Sequence, residues 1–429
     1  MSIAFVGLFV SSPRAESQGF PFVRSLLDSV SADKLLSSVR SLEAAGGFLS
    51  RVNFTPGNDS ARSFLLRSFA SLPGMQVSLD AFRDTAQAPY NESALYNVAS
   101  VLPGSHDTDA VVVVGAHYDS QAGRDSNWTR DWFTIHAPGA DDNASGVAGV
   151  LEIARILANP DGGYRNRLPI HFVAFGAEEG TTPGIHAYLN GSRHYAQGLR
   201  QKGVKVVGFV NLDMIAYNPW TMVGTIVADS QSQWLGQKTY TLNDVYQVGL
   251  IISPPPYSAN RWSDHAPFWD EGYPAILLIE NFDVLKPNEF YPGNPNYHLP
   301  SDTSGALNPE LMVSFCRLAL ATVAELAADS VTVTGLPRGG HVPETFTVAA
   351  YPNPFNPSVT IQIDLPRESE GRVEIADLLG RKVEELFSGN LQPGRHRWKW
   401  QAARAASGIY LARVVTGAGS KTIRLVLLR

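Results

Sequence analysis

A single cysteine, Cys316, stands in 429 residues, so no disulfide can form within the chain and its stability must come from core packing or bound metal. The apolar neighbours of Cys316 at helical spacing mark it as a buried structural thiol rather than a nucleophile. Charge is sparse as well. Asp, Glu, Lys and Arg make up 17% of the chain and hydrophobic residues 44%, too little charge for a disordered or nucleic-acid-binding protein and enough apolar material for a large core. No apolar run reaches the roughly 18 residues that a bilayer span requires, which predicts no transmembrane segment. Also missing are a Gly-X-Ser-X-Gly elbow, a His-Glu-X-X-His helix and a phosphate-cradling glycine loop. A serine hydrolase, a single-zinc protease built on that helix and a nucleotide enzyme each lose their main support.

The formal net charge of -6 is unevenly spread: from Tyr351 onward there are 12 Lys+Arg against 7 Asp+Glu, so that tail carries +5 and the remainder -11. Two segments of different character follow. Ile3 to Val10 is apolar and leads into Ser-Ser-Pro-Arg-Ala-Glu-Ser without a basic start, so residues 1–19 read as a clipped secretory signal, a mis-set start or an ordinary terminal strand. From 21 to 72, Leu26, Leu27, Val30, Leu35, Leu36, Val39 and Leu42 recur at helical intervals. Runs at 75–79, 96–102, 110–114, 171–175, 204–212, 225–228 and 275–279 suit strands, several covered on both faces. Helical patterns at 145–157 and 311–326 alternate with them. The pattern predicts, over residues 20–330, an α/β domain with a mainly parallel mixed sheet flanked by helices. Residues 331–350 read as a linker. Beyond Tyr351-Pro-Asn-Pro-Phe-Asn-Pro357, five to seven short alternating strands predict a small antiparallel β-sandwich over 351–429.

In a sheet of this kind ligands gather outside the carboxyl ends of the strands, and there the chain places acids and imidazoles. Val111 to Val114 leads to His117-Tyr-Asp119, and Phe172 to Phe175 leads to Glu178-Glu179-Gly180. Asn211-Leu-Asp213 ends a third run. Ala275 to Ile279 enters Glu280 and, through a loop, Tyr297-His298 and Asp302. Pro138-Gly-Ala-Asp141-Asp142-Asn-Ala-Ser-Gly146 opens a helix. Singly, each reads as a hydrogen-bonded pair, a solvated loop or a helix cap. Converging carboxylates, however, repel one another unless cations neutralise them. Imidazole and carboxylate donors without thiolate suit zinc, with manganese or cobalt behind it. Two imidazoles and three or more carboxylates exceed what one tetrahedral zinc takes, and a pair of metals about 3.5–4 Å apart bridged by one carboxylate would use them all.

At these residues the sequence resembles the co-catalytic zinc peptidase family that includes secreted bacterial leucine aminopeptidases, glutamate carboxypeptidase and glutaminyl cyclase. The resemblance spans residues 90–328 and rests on Gly115-Ala-His117-Tyr-Asp119-Ser, Gly139-Ala-Asp-Asp142-Asn-Ala-Ser-Gly146, Ala177-Glu178-Glu179-Gly180, Asn211-Leu-Asp213-Met, Ser263-Asp-His265 and Tyr297-His298. It implies two Zn2+ per chain, with His117 and Asp213 completing one site, Glu179 and His298 the other, and Asp142 bridging. If the offset to Ser145 is wrong, Asp141 inherits the bridge. The resemblance further implies Glu178 as general base for the attacking water, Asp119 as the carboxylate that fixes a ligand imidazole, and Tyr297 as oxyanion donor. His265, the rival to His298 as ligand, takes a role behind the ligands or in the substrate pocket. The implied activity is hydrolysis of the N-terminal bond of peptides, with a carboxypeptidase-type hydrolase or a glutaminyl cyclase as alternatives. The tail resembles C-terminal sorting or Ig-like modules of secreted bacterial enzymes, through the Pro-Asn-Pro-Phe-Asn-Pro357 turn, Ala376-Asp-Leu-Leu-Gly-Arg-Lys382, Ser407-Gly-Ile-Tyr410 and Val426-Leu-Leu-Arg429. It implies a secreted or surface-attached protein that meets secretion machinery or the cell surface.

Overall fold

Runs rich in Val, Ile and Phe form strands buried on both faces, and their alternate residues feed two separate apolar layers. The computed structural model describes residues 21–83, 90–106, 108–180, 188–252, 260–281, 283–288, 291–328 and 346–428, the last without 352, 354, 379, 392–393, 403–404 and 418. The chain divides into two compact units, Met1–Val331 and Thr332–Arg429. The segment 1–19 read as a signal lies outside the described residues.

In the first unit, β1 (Gln76–Arg83), β2 (Ala94–Leu102), β3 (Ala110–His117), β4 (Ile170–Phe175), β5 (Lys205–Leu212), β6 (Val223–Ala228), β7 (Ile251–Ile252) and β8 (Ala275–Ile279) make one sheet in the order β1-β2-β4-β3-β5-β8-β6-β7. The central strands β4, β3, β5 and β8 run parallel, while β1 with β2, β2 with β4 and β6 with β8 are antiparallel. Each strand read from the sequence is present. Only the two-residue β7 gives no signal.

The helices are α1 (Pro21–Asp28), α2 (Ala32–Glu43), α3 (Pro56–Ala70), α4 (Trp128–Asp131), α5 (Gly146–Leu157), α6 (Asn190–Gln201), α7 (Gln233–Val245), α8 (His265–Asp270) and α9 (Pro309–Ala328). Ser31 caps α2 by accepting from Lys34 N, and Thr55 caps α3 by accepting from Asn58 N with Pro56 in the first turn, satisfying amides the helix cannot. Val112, Val114, Phe172, Val210 and Ile276 point to one face of the sheet, where they pack with residues of α1, α2, α3, α5 and α9. Val111, Val113, Val173, Phe209 and Leu277 point to the other, beneath Ala196 and Leu199 of α6 and Phe268 of α8. This is the two-residue alternation of a strand covered on both sides. The helix α9 is long and apolar enough to cross a membrane by length and composition alone, although Glu310, Arg317 and Glu325 interrupt it. It is a core helix, with 83% of its apolar window buried within the unit. Cys316, on α9, is fully buried with Sγ 3.8 Å from the Gly149 carbonyl.

The second unit comprises β9 (Thr347–Tyr351), β10 (Ser358–Leu365), β11 (Ser369–Asp377), β12 (Lys382–Leu391), β13 (Gly394–Gln401), β14 (Gly408–Thr416) and β15 (Gly419–Leu427). They form antiparallel sheets in the orders β13-β10-β9 and β12-β11-β14-β15. Ile361, Ile363 and Trp400 of one sheet share an interior with Val373, Ile375, Val414 and Leu425 of the other. The strand β9 begins inside the stretch 331–350 read as linker, and 331–345 lie outside the described residues.

Phe172 lies at the middle of β4 with none of its surface exposed. Truncation to Ala should cost about 3–5 kcal/mol, since the tightly packed surroundings cannot close over the lost ring. A lower urea midpoint for the first unit is the expected result. An unchanged midpoint would show that this layer carries no stability.

Candidate metal centre

Parallel strands deliver their carboxyl ends to one edge, and at this edge the chain brings together the residues singled out from the sequence. His117 is the last residue of β3 and Asp213 follows β5. Glu178 and Glu179 lie in the turn after β4. Asp142 comes from the wide turn Ala140–Ser145 that enters α5, and His298 from the loop after β8. Ala177 (φ 54°), Met214 (φ 50°) and His298 (φ 55°) hold left-handed backbone without being glycine, a conformation that costs energy and clusters where side chains must be aimed.

Asp142 stands between the two imidazoles. Its Oδ1 is 3.2 Å from His117 Nε2 and its Oδ2 2.9 Å from His298 Nε2. Asp213 Oδ1 lies 3.5 Å from His117 Nε2, and Glu179 Oε1 lies 3.2 Å from His298 Nε2. Donor atoms of His117, Asp142 and Glu179 fall within 4.8 Å of one another, as do those of His117, Glu178 and Asp213. All these side chains are buried except His298, which is mostly so. Asp141 turns away: its Oδ1 accepts from Ala216 N at 3.0 Å and its Oδ2 from Asn294 Nδ2 at 3.0 Å.

The electrostatics are those of an acid-rich interior. Burial pushes the carboxyls of Glu178 and Glu179 up. Burial would raise Asp142 as well, but the flanking His117 and His298 overcome it and hold Asp142 below the usual range. Burial also raises Asp264 and Asp302 to about 7.

The residue pair Glu178–Glu179 is fixed by Asp119, whose Oδ1 accepts from Glu178 N at 3.2 Å and whose Oδ2 accepts from Glu179 N at 3.1 Å. Asp119 Oδ1 lies 3.6 Å from His117 Nδ1, too far for a hydrogen bond. The pair Asp141–Asp142 is fixed in the same way by Asp302, which accepts from both backbone amides at 2.9 and 3.1 Å. Sequence reasoning left Asp302 without a role. It also missed Asn53, which donates to Asp119 Oδ2 at 2.8 Å, and Gln121, whose amide donates to Glu179 Oε2. Ser263 Oγ donates to Asp213 Oδ2 at 2.6 Å. His265 stands apart from the cluster: its Nε2 is 2.9 Å from the Asn260 carbonyl, its ring packs edge-on against Trp269, and burial lowers it to about 4. In the Ser263-Asp-His265 motif the serine bonds to the cluster and buried Asp264 lies near it, whereas the histidine does not reach it. Tyr297 stacks on His298 with ring centroids 3.7 Å apart, and burial raises its hydroxyl.

The donor set fits a divalent cation. Asp213 Oδ1 is buried and accepts no hydrogen bond, a costly state for a carboxylate oxygen unless a cation faces it. Imidazole and carboxylate without thiolate suit zinc.

The profile of Peptidase family M28 matches residues 97–323, and that of the Secretion system C-terminal sorting domain matches residues 349–428. A probable leucine aminopeptidase of Arthroderma otae is 32% identical over 235 residues, 54% of this chain and 57% of its own length. The chain spans about three fifths of the length of the curated relatives it resembles. Among solved structures, the Legionella pneumophila LapA aminopeptidase aligns with a TM-score of 0.55 at 24% identity, over 72% of this chain and 75% of that one. The Porphyromonas gingivalis glutaminyl cyclase aligns with a TM-score of 0.54 at 19% identity, over 69% and 99%. These two likenesses establish the shared fold. The tail is that of a secreted or cell-surface-attached protein, and, by the match across its larger unit, the chain belongs to peptidase family M28.

Proposed function

We propose that the protein is a secreted aminopeptidase that holds two zinc ions and removes N-terminal residues from peptides. The observation that carries this reading is Asp142, whose two oxygens each address a different imidazole, the disposition a bridging carboxylate needs. His117 and Asp213 would hold one ion with Asp142, and Glu179 and His298 the other. Bound there, zinc would acidify water enough to make it a nucleophile at neutral pH and would polarise the scissile carbonyl.

The chain's own groups do the rest. Glu178 is buried beside the cluster. It would take the proton from the attacking water and pass it to the leaving amine, the role of a positioned carboxylate in general acid–base catalysis. Tyr297, stacked on His298, would donate its hydroxyl proton in a hydrogen bond to the carbonyl oxygen as negative charge gathers there. Asp119 keeps the Glu178–Glu179 turn in place and Ser263 holds the Asp213 carboxylate through the bonds described above. The names of the relatives support the aminopeptidase reading. The C-terminal sorting unit supports passage through, or attachment by, secretion machinery.

Assay of aminoacyl-nitroanilides with and without a strong chelator tests the activity. Chelator-sensitive release is expected, and zinc should restore it. Absence of release together with cyclisation of an N-terminal Gln peptide would replace the aminopeptidase with a cyclase, and release only from peptide C-termini would make it a carboxypeptidase. Glu178→Gln should keep its zinc and lose about 10²–10⁴-fold in kcat, the usual share of a general base. Zinc loss in that variant would make Glu178 a ligand. Asp142→Asn should lose bound zinc while Asp141→Asn keeps it, as measured by metal content after gel filtration. The reverse pattern would move the bridge to Asp141.

A further inference from the structure

The cluster is braced from an unexpected place. Arg51 lies in the segment that joins α2 to α3, outside the residues matched by the family profile. None of its surface is exposed. Burial lowers its guanidinium to about 10, which leaves it charged at neutral pH.

A buried arginine ordinarily forks onto a carboxylate. Arg51 instead spends its donors on the backbone of two loops that carry candidate ligands. Nε donates to the Tyr118 carbonyl at 2.7 Å, next to His117. Nη1 donates to the Pro138 carbonyl, and Nη2 donates to the Gly139 carbonyl at 2.8 Å, on the approach to Asp142. The main chain reinforces the splice: Arg51 N donates to Ser120 Oγ at 3.0 Å, and Ser120 Oγ donates to the Ala137 carbonyl at 2.6 Å. The approach is close enough to demand glycine. Gly139 has φ +54°, and a Cβ there would come within 2.7 Å of Ser120 Cβ and 3.0 Å of Arg51 Nη2. Two residues further on, Asn53 holds Asp119.

We propose that Arg51 is a positioning residue for the metal centre, splicing the His117 loop to the Asp142 loop so that both ligands meet the same cation. The proposal rests on the metal reading above. A planar guanidinium with five donors in a fixed fork can bridge three carbonyls, whereas an ammonium is a single point of charge on a flexible stem. Charge alone predicts the opposite outcome: a buried cation near a metal site repels the metal, so its removal would tighten binding. A splice predicts that its removal loosens binding. The sign of the change therefore separates the two.

The test compares wild type, Arg51→Met and Arg51→Lys in the full chain, by competition for zinc with a chromophoric chelator and by the visible spectrum of the Co2+-loaded protein. Loss of a residue that orients metal ligands usually costs about 10–100-fold in affinity. Arg51→Met should fall in that range, with an altered Co2+ spectrum and a lower kcat at little-changed KM. Arg51→Lys keeps the charge and should still bind zinc several-fold more weakly than wild type. If Arg51→Met does not fold, Arg51→Lys alone decides. Wild-type affinity and an unchanged Co2+ spectrum in the variants, or tighter binding in Arg51→Met, would overturn the proposal. A wild-type protein that takes up no metal would instead overturn the metal reading, and this inference with it.

Discussion

Excess negative charge in a buried place is the constraint around which the larger unit is organised. Asp119, Asp141, Asp142, Glu178, Glu179, Asp213, Asp264, Glu280 and Asp302 are all buried, and they lie in the turns at one edge of the sheet or in the loops that reach it. Among the described residues, the Arg51 guanidinium and the imidazoles of His117 and His298 face them there. Taking so many carboxylates out of water is tolerable where each has backbone donors, a shared proton or a cation. The chain supplies backbone amides to Asp119, Asp141, Glu280 and Asp302. Asp142, Glu179 and Asp213 face the imidazoles instead, and to these the proposed zinc ions are assigned.

Two carboxylates do parallel work in holding that arrangement. Asp119 grips the consecutive amides of Glu178 and Glu179, and Asp302 those of Asp141 and Asp142. Each acidic doublet is thus aimed through its backbone, which leaves its side chains for other work. Asp142 (φ −106°, ψ 90°) and Asn143 (φ −134°, ψ 44°) both leave helical backbone inside the Ala140–Ser145 turn. That is why neighbouring carboxylates diverge, Asp141 towards Ala216 and Asn294, Asp142 towards the imidazoles. Gly146 lets α5 start hard against the end of β5, since a Cβ there would lie 2.4 Å from the Leu212 carbonyl oxygen.

These features differ in how far they can be read from residues alone. The central strands are legible because burial on both faces leaves unbroken runs such as Val111 to Val114, and the ligand types are legible because they end those runs. The helix α6 buries only Gly191, Ser192, Ala196 and Leu199, so it lacks the apolar stripe that marked α5 and α9. The strand β12 exposes most of its length and shows no alternation of apolar and polar residues. The choice between Asp141 and Asp142 turns on backbone angles that a sequence does not print. His265 is the rival to His298 in the sequence, set behind it by the resemblance alone, and their contacts separate them: His298 faces Asp142 and Glu179, whereas His265 faces the Asn260 carbonyl and packs on Trp269. Asp302, Asn53 and Arg51 belong to no motif. Asp302 meets Asp141 across 161 residues of chain, a relation that only the fold creates.

The C-terminal unit has its own apolar interior, centred on Ile361, Ile375 and Trp400, and the change of charge sign along the chain falls close to where this unit and its sorting-domain match begin. The account as a whole rests on paired cations meeting at Asp142. Crystals of the zinc-loaded protein measured on either side of the zinc absorption edge test this most directly. Two anomalous peaks are expected, one beside His117 and Asp213 and one beside Glu179 and His298, with Asp142 touching both. A single peak, or peaks remote from Asp142, would contradict the account.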